Sequence, residues 1–134
     1  MKILLQSFLL LAGLWLFSTG SFAQQAKPQV YQELEPKPFA QTLSRTKGIV
    51  LDVRTPEEYA EGHLSQARNI DYKNDNFRQA VNKLDKTKPY FVYCKAGVRS
   101  AKAADIMKEL GFKQVYTLEG GMDAWAEEGM KTVK

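Results

Sequence analysis

Two apolar runs, Ile49-Val50-Leu51-Asp52-Val53 and Tyr90-Phe91-Val92-Tyr93, constrain the fold of this chain more than any other feature. Neither alternates polar with apolar residues, as a strand with one wet face would. Each reads as a strand buried on both faces, the pattern of a parallel sheet covered by helices. Each also hands over to a helix-start signal. After the first run, Thr55 can cap, Pro56 suits the first helical position and Glu58 stands where a capping box needs its carboxylate. That helix should be short, ending before Gly62. After the second run, the loop Cys94-Lys95-Ala96-Gly97-Val98-Arg99-Ser100 opens onto a helix from Ser100 to Leu110, with Ala103, Ala104, Met107 and Leu110 inward and Gly111 closing it.

The rest of the chain repeats the alternation. Val30 to Glu33 is a short first strand, and Pro36 and Pro38 punctuate the way into a helix around Phe39 to Arg45, ended by Gly48. Ala67 to Asp71 forms a brief strand. Asn74 to Leu84 reads as helical, with Phe77, Val81 and Leu84 on one face. Gln114 to Leu118 is a strand, and Gly120-Gly121 leads into a last helix carrying Met122 and Trp125 as core packing. Strands alternating with helices make an α/β fold with a mainly parallel sheet. In such sheets ligands bind beyond the carboxyl ends of the strands, and Cys94 sits at one of those ends.

That cysteine is the only one in the chain. A lone cysteine after a β run is ordinarily a small buried hydrophobe. Here its loop meets a helix N-terminus, whose unpaired N–H groups and positive dipole end favour an anion. A thiolate held there is a nucleophile. Gly97 lets the backbone curl, Ser100 can cap the helix, and Arg99 adds a fixed cation, free either to hold an anionic substrate or to pair with a carboxylate. Lys95 adds positive potential. One cysteine rules out an intramolecular disulfide and leaves a free thiol or an intermolecular bridge. A single histidine, His63, gives no ligand-type spacing for a metal and reads as a turn residue. Asp52 and Arg54 are expected to form structural hydrogen bonds or an ion pair.

The N-terminus reads separately. Met1-Lys2 is a basic start, Phe8 to Phe17 is apolar, and Ser21-Phe22-Ala23 places small residues before Gln24. This is the layout of a secretory signal peptide over residues 1–23; the apolar run is short of the roughly 20 residues a span needs. A flexible tail over 24–29 and one domain over 30–134 would follow, periplasmic or secreted, with no membrane attachment after cleavage. The formal charge of the full chain is +4, with basic residues scattered among acids, so no nucleic-acid footprint is expected.

Three segments together resemble the rhodaneses, in particular the small single-domain periplasmic sulfurtransferases of bacteria. They are Leu51-Asp52-Val53-Arg54-Thr55-Pro56-Glu57-Glu58-Tyr59 with Gly62-His63-Leu64, the Cys94–Ser100 loop, and Leu118-Glu119-Gly120-Gly121-Met122-Asp123-Ala124-Trp125. The resemblance implies a five-stranded parallel sheet with helices on both faces, and a cysteine that carries sulfur as a persulfide. Cys94 would take sulfane sulfur from a small anionic donor such as thiosulfate. The N–H groups of Lys95, Ala96, Gly97, Val98 and Arg99 would cradle it, and a thiophilic acceptor such as cyanide, a thiol or a partner protein would remove it. No cofactor is needed, and the protein is expected to be a monomer. Gln66 departs from the pattern, standing where the family usually has glycine.

Competing readings differ in chemistry. Phosphatases resembling rhodaneses need five residues between cysteine and arginine, whereas Cys94 and Arg99 enclose four. A carrier or binding module would hold persulfide for a protein partner without turnover. Disulfide exchange lacks a resolving cysteine.

Overall fold

The computed structural model describes residues 28–134, so the expected signal peptide and most of the tail lie outside the described residues. Ten elements alternate along the chain: β1 (Val30–Leu34), α1 (Pro36–Thr46), β2 (Ile49–Asp52), α2 (Pro56–Glu61), β3 (Arg68–Asn69), α3 (Phe77–Asn82), β4 (Pro89–Tyr93), α4 (Val98–Glu109), β5 (Gln114–Leu118) and α5 (Gly121–Glu127). The five strands form one sheet in the order β1-β5-β4-β2-β3, every pairing parallel. The α/β class expected from the two apolar runs is the observed one.

Those runs are buried because the sheet is central and its two faces are covered by different helices. In β4, Tyr90 and Val92 point to one side with Cys94, where Ala103 and Met107 of α4 and Phe77 and Val81 of α3 pack. Phe91 and Tyr93 point to the other, against Phe39 of α1 and Trp125 of α5. The period of two thus feeds two cores, and neither strand has a polar face to show. Phe39 meets Phe91 and Trp125 edge-on, with ring centroids 5.2 and 6.3 Å apart.

Several boundaries differ from the sequence expectations. Helix α1 begins at Pro36, with Pro36 and Pro38 inside its first turn, where a missing N–H costs nothing. It ends at Thr46 with Lys47 in the left-handed conformation, before Gly48. Helix α3 covers Phe77–Asn82 alone, because Asp71 and Asn74 bind backbone N–H groups of Lys73 and Asn76 at 2.8 and 2.9 Å and hold that stretch in turns. Gln29 is tied down by its amide, which donates to the Phe112 carbonyl at 3.2 Å, so its end of the expected tail has a partner. No helix among the described residues is long and apolar enough to cross a membrane.

Gln66 adopts φ 63°, the conformation for which glycine is the natural residue. With Lys47, Arg68 and Ser65 it lines a groove of about 460 Å³ running past the start of β2, away from Cys94. Gln66→Gly should therefore stabilise the domain by about 0.5–1 kcal/mol, the relief of left-handed strain less the extra backbone entropy of glycine. Denaturant unfolding of the purified variant checks this; a lower midpoint with unchanged slope would contradict it.

Candidate functional site

Cys94 follows β4 at the carboxyl edge of the sheet and is only 1% exposed. Its Sγ receives the Gly97 N–H at 3.1 Å and lies 3.5 Å from Ser100 Oγ, which donates to the Gly97 carbonyl at 3.1 Å. Helix α4 begins at Val98, with Gly97 in the cap position at φ 103° and no side-chain cap. Ser100 is therefore inside the first turn, buried against the sulfur, and does not cap as the sequence suggested. The turn is tighter than expected: only Lys95, Ala96 and Gly97 separate the cysteine from the helix.

What holds this loop is the start of α5. The N–H groups of Met122 and Asp123 donate to the carbonyls of Cys94 and Lys95 at 2.9 and 3.0 Å. Gly121 makes this approach possible. Its φ is 57°, and a Cβ there would lie 2.5 Å from the Lys95 carbonyl oxygen and as close to that of Cys94. With two loop carbonyls turned back onto α5, the Gly97 N–H is left to face the sulfur.

Both cations of the loop are already engaged. Arg99 makes a bidentate pair with Glu58, Nη1 to Oε2 at 2.7 Å and Nη2 to Oε1 at 2.8 Å, with the side chains 18% and 26% exposed. Glu58 is also the capping-box carboxylate of α2: the Thr55 N–H reaches it at 2.9 Å, and its own N–H donates to Thr55 Oγ1 at 3.3 Å. The Arg99 hydrogen bonds, followed by those from Thr55, outweigh burial and hold the Glu58 carboxyl down at about 2. Lys95 pairs with Asp123 at 3.0 Å in the open, where such pairs contribute little. Ala96 and Val98 are exposed, Val98 to 64%.

The remaining singled-out residues are structural. Asp52, fully buried, accepts from Arg54 Nη2 at 2.7 Å and from the Tyr93 hydroxyl, while Arg54 reaches on to the Gly62 carbonyl at 2.7 Å. This network pins the 62–64 segment to β2 and β4. Desolvation raises the Tyr93 hydroxyl far above its ordinary range, and its bond to Asp52 adds to this. His63 stacks on Tyr59 at 3.8 Å and exchanges backbone hydrogen bonds with Val133 in an isolated antiparallel bridge, so it is structural but sits in a bridge rather than the expected turn. No group of three or more His, Cys, Asp and Glu capable of holding a metal occurs among the described residues.

The Rhodanese-like domain family matches residues 35–128. The chain belongs to the rhodanese family. It is 35% identical over 86 residues to the thiosulfate sulfurtransferase GlpE of Ectopseudomonas mendocina, covering 64% of this chain and 77% of that one. It is 36% identical over 98 residues to the tRNA uridine(34) hydroxylase of Pelagibacter ubique, covering 72% of this chain but only 33% of that larger protein. Among solved structures, a rhodanese-related protein from Thermoplasma volcanium superposes with a TM-score of 0.68 at 31% identity, covering 77% of this chain and 98% of its own. The rhodanese resemblance carried by three motifs is thus the family that residues 35–128 match.

Sequence reasoning missed three contributors to the site. In the sequence Gly121 reads as a helix lead-in, Asp123 only as a member of the third motif, and Glu58 as a capping residue of the first, none of them as a partner of the cysteine loop. The last was within reach: parallel strands β2 and β4 are neighbours, so the helices that follow them start side by side at the same edge.

The Glu58 pair makes a pH prediction with a definite sign. A carboxyl whose value falls from 4.5 unfolded to about 2 folded stabilises the fold above pH 4.5 and loses that contribution as pH falls toward 2. Allowing for its partial exposure, about 1–2 kcal/mol is at stake. Urea unfolding of wild type and Glu58→Gln between pH 2 and 7 should show a stability gap that closes through this window. A gap independent of pH would refute the pairing.

Proposed function

We infer that this rhodanese-like domain is a sulfurtransferase working through a persulfide on Cys94. The observation that carries the reading is the sulfur itself: it sits at the carboxyl edge of the central strand, receiving a backbone N–H in a loop pinned from behind by α5. The relatives named thiosulfate sulfurtransferase support the same chemistry. The Cys94 thiolate attacks the outer sulfur of thiosulfate; a Cys–S–S bond forms, and the old sulfur–sulfur bond breaks with its electron pair leaving on sulfite. The persulfide keeps one negative charge, which the Gly97 N–H faces and toward which the Ser100 hydroxyl can turn. Cyanide or a thiol then takes the outer sulfur and returns the thiolate. The transfer itself needs no general base, since the attacking species is the thiolate and the leaving group is stable.

The phosphatase reading fits poorly. A phosphate needs a wide ring of donors and an arginine facing it, whereas here three residues form the turn and Arg99 faces Glu58.

Incubation with thiosulfate should add one sulfur atom to the intact mass, and cyanide should remove it. Cys94→Ser should lose at least about 10³-fold in sulfur transfer with its melting transition preserved, because a hydroxyl packs similarly but does not ionise at neutral pH. Activity retained in that variant would end the assignment; a sulfur that cyanide leaves in place and only a protein removes would indicate a carrier.

Export remains part of the proposal. The protein should begin at Gln24 and be recovered in the periplasmic fraction, as the leader-like pattern of residues 1–23 requires. N-terminal sequencing after fractionation of expressing cells checks this, and membrane-bound protein retaining Met1 would replace export by anchoring.

A further inference from the structure

We propose that Glu58 sets the donor specificity of the Cys94 site, by cancelling the charge of Arg99 and turning the site toward sulfur donors of lower negative charge than thiosulfate. The proposal rests on the sulfurtransferase reading and goes beyond it in naming the substrate class. An arginine next to a nucleophilic cysteine is the obvious receptor for a dianion. Here its fork is filled by two short bonds to one carboxylate, in a pair whose side chains are only 18% and 26% exposed. The partner cannot swing away cheaply, because Thr55 grips the same carboxylate through its N–H and hydroxyl at 2.9 and 3.1 Å. Nor does titration release it near neutral pH. Asp71, at the edge of the adjoining cleft of about 340 Å³ that Pro56, Ile70, Phe77 and Ala80 line, adds a second negative charge acting on Arg99. The other loop cation, Lys95, faces Asp123. A donor approaching Cys94 therefore meets Arg99 already neutralised and Lys95 paired in the open, while the groups on the sulfur itself are the Gly97 N–H and the Ser100 hydroxyl, which suit a single charge.

Thiosulfate and methanethiosulfonate separate this idea from a structural role. They differ by a methyl in place of one charged oxygen, and both give up the same outer sulfur: the Cys94 thiolate bonds to it, and sulfite or methanesulfinate leaves with the electron pair of the broken sulfur–sulfur bond. Glu58→Gln keeps the capping box, since glutamine serves at that position, but removes the charge. In that variant the kcat/KM ratio of methanethiosulfonate over thiosulfate should fall about fivefold or more, mainly through a lower KM for thiosulfate with kcat little changed. In the double variant Glu58→Gln/Arg99→Gln the pair is neutral again, and the ratio should return to within about twofold of wild type. A ratio unmoved in Glu58→Gln, or equal losses for both donors, would overturn the proposal while leaving persulfide chemistry intact. Failure of both donors to load sulfur onto wild-type Cys94 would overturn the underlying reading as well. Should Glu58→Gln not fold, Arg99→Gln alone decides: it should raise the KM for thiosulfate more than that for methanethiosulfonate, and equal changes would refute the role.

Discussion

The contact between the first turn of α5 and the carbonyls of Cys94 and Lys95 is the constraint on which this site depends. Two main-chain hydrogen bonds of 2.9 and 3.0 Å fix the direction in which the loop peptides point. A backbone N–H directed at sulfur is a fixed partial charge that needs no reorganisation when negative charge arrives. Side chains could not hold the loop this closely. Only the absence of a Cβ at Gly121 lets the two backbones come within hydrogen-bonding distance.

The scaffold beneath makes that contact reproducible. Neighbouring parallel strands β4 and β5 run in register, Val92 beside Thr117, so the cysteine loop and the Gly120-Gly121 turn emerge together at the same edge. On the other flank, β2 delivers the first turn of α2 and with it Glu58. Asp52, Arg54 and Tyr93 lock that flank internally, a buried ion pair whose charges are satisfied by hydrogen bonds on every side. The position of one carboxylate beside Arg99 is therefore a consequence of strand order as much as of local sequence.

Much of this was legible in the chain. Continuous apolar strands, a proline-started capping box and glycine-closed helices are local signals, and β5 and the Thr55 cap fall where those signals place them. What the sequence hid was relational. Arg99 could be read as a substrate ligand or as half of an ion pair, and only the spatial neighbourhood of two helix starts decides for the pair. Ser100 looked like a cap because hydroxyls favour caps, yet Gly97, free to adopt a positive φ, took that position and turned the hydroxyl inward to the sulfur. Helix α3 lost its first turn to Asp71 and Asn74, whose side chains compete for the same backbone donors a helix would use.

The burial of Cys94 has a further consequence for a chain with one thiol. A disulfide between two copies requires their sulfurs to approach to about 2 Å along a narrow range of angles. At 1% exposure, behind Gly97 and Ser100, this sulfur offers no such approach while the loop stays closed. Covalent dimerisation is blocked by geometry, without any second cysteine to protect it.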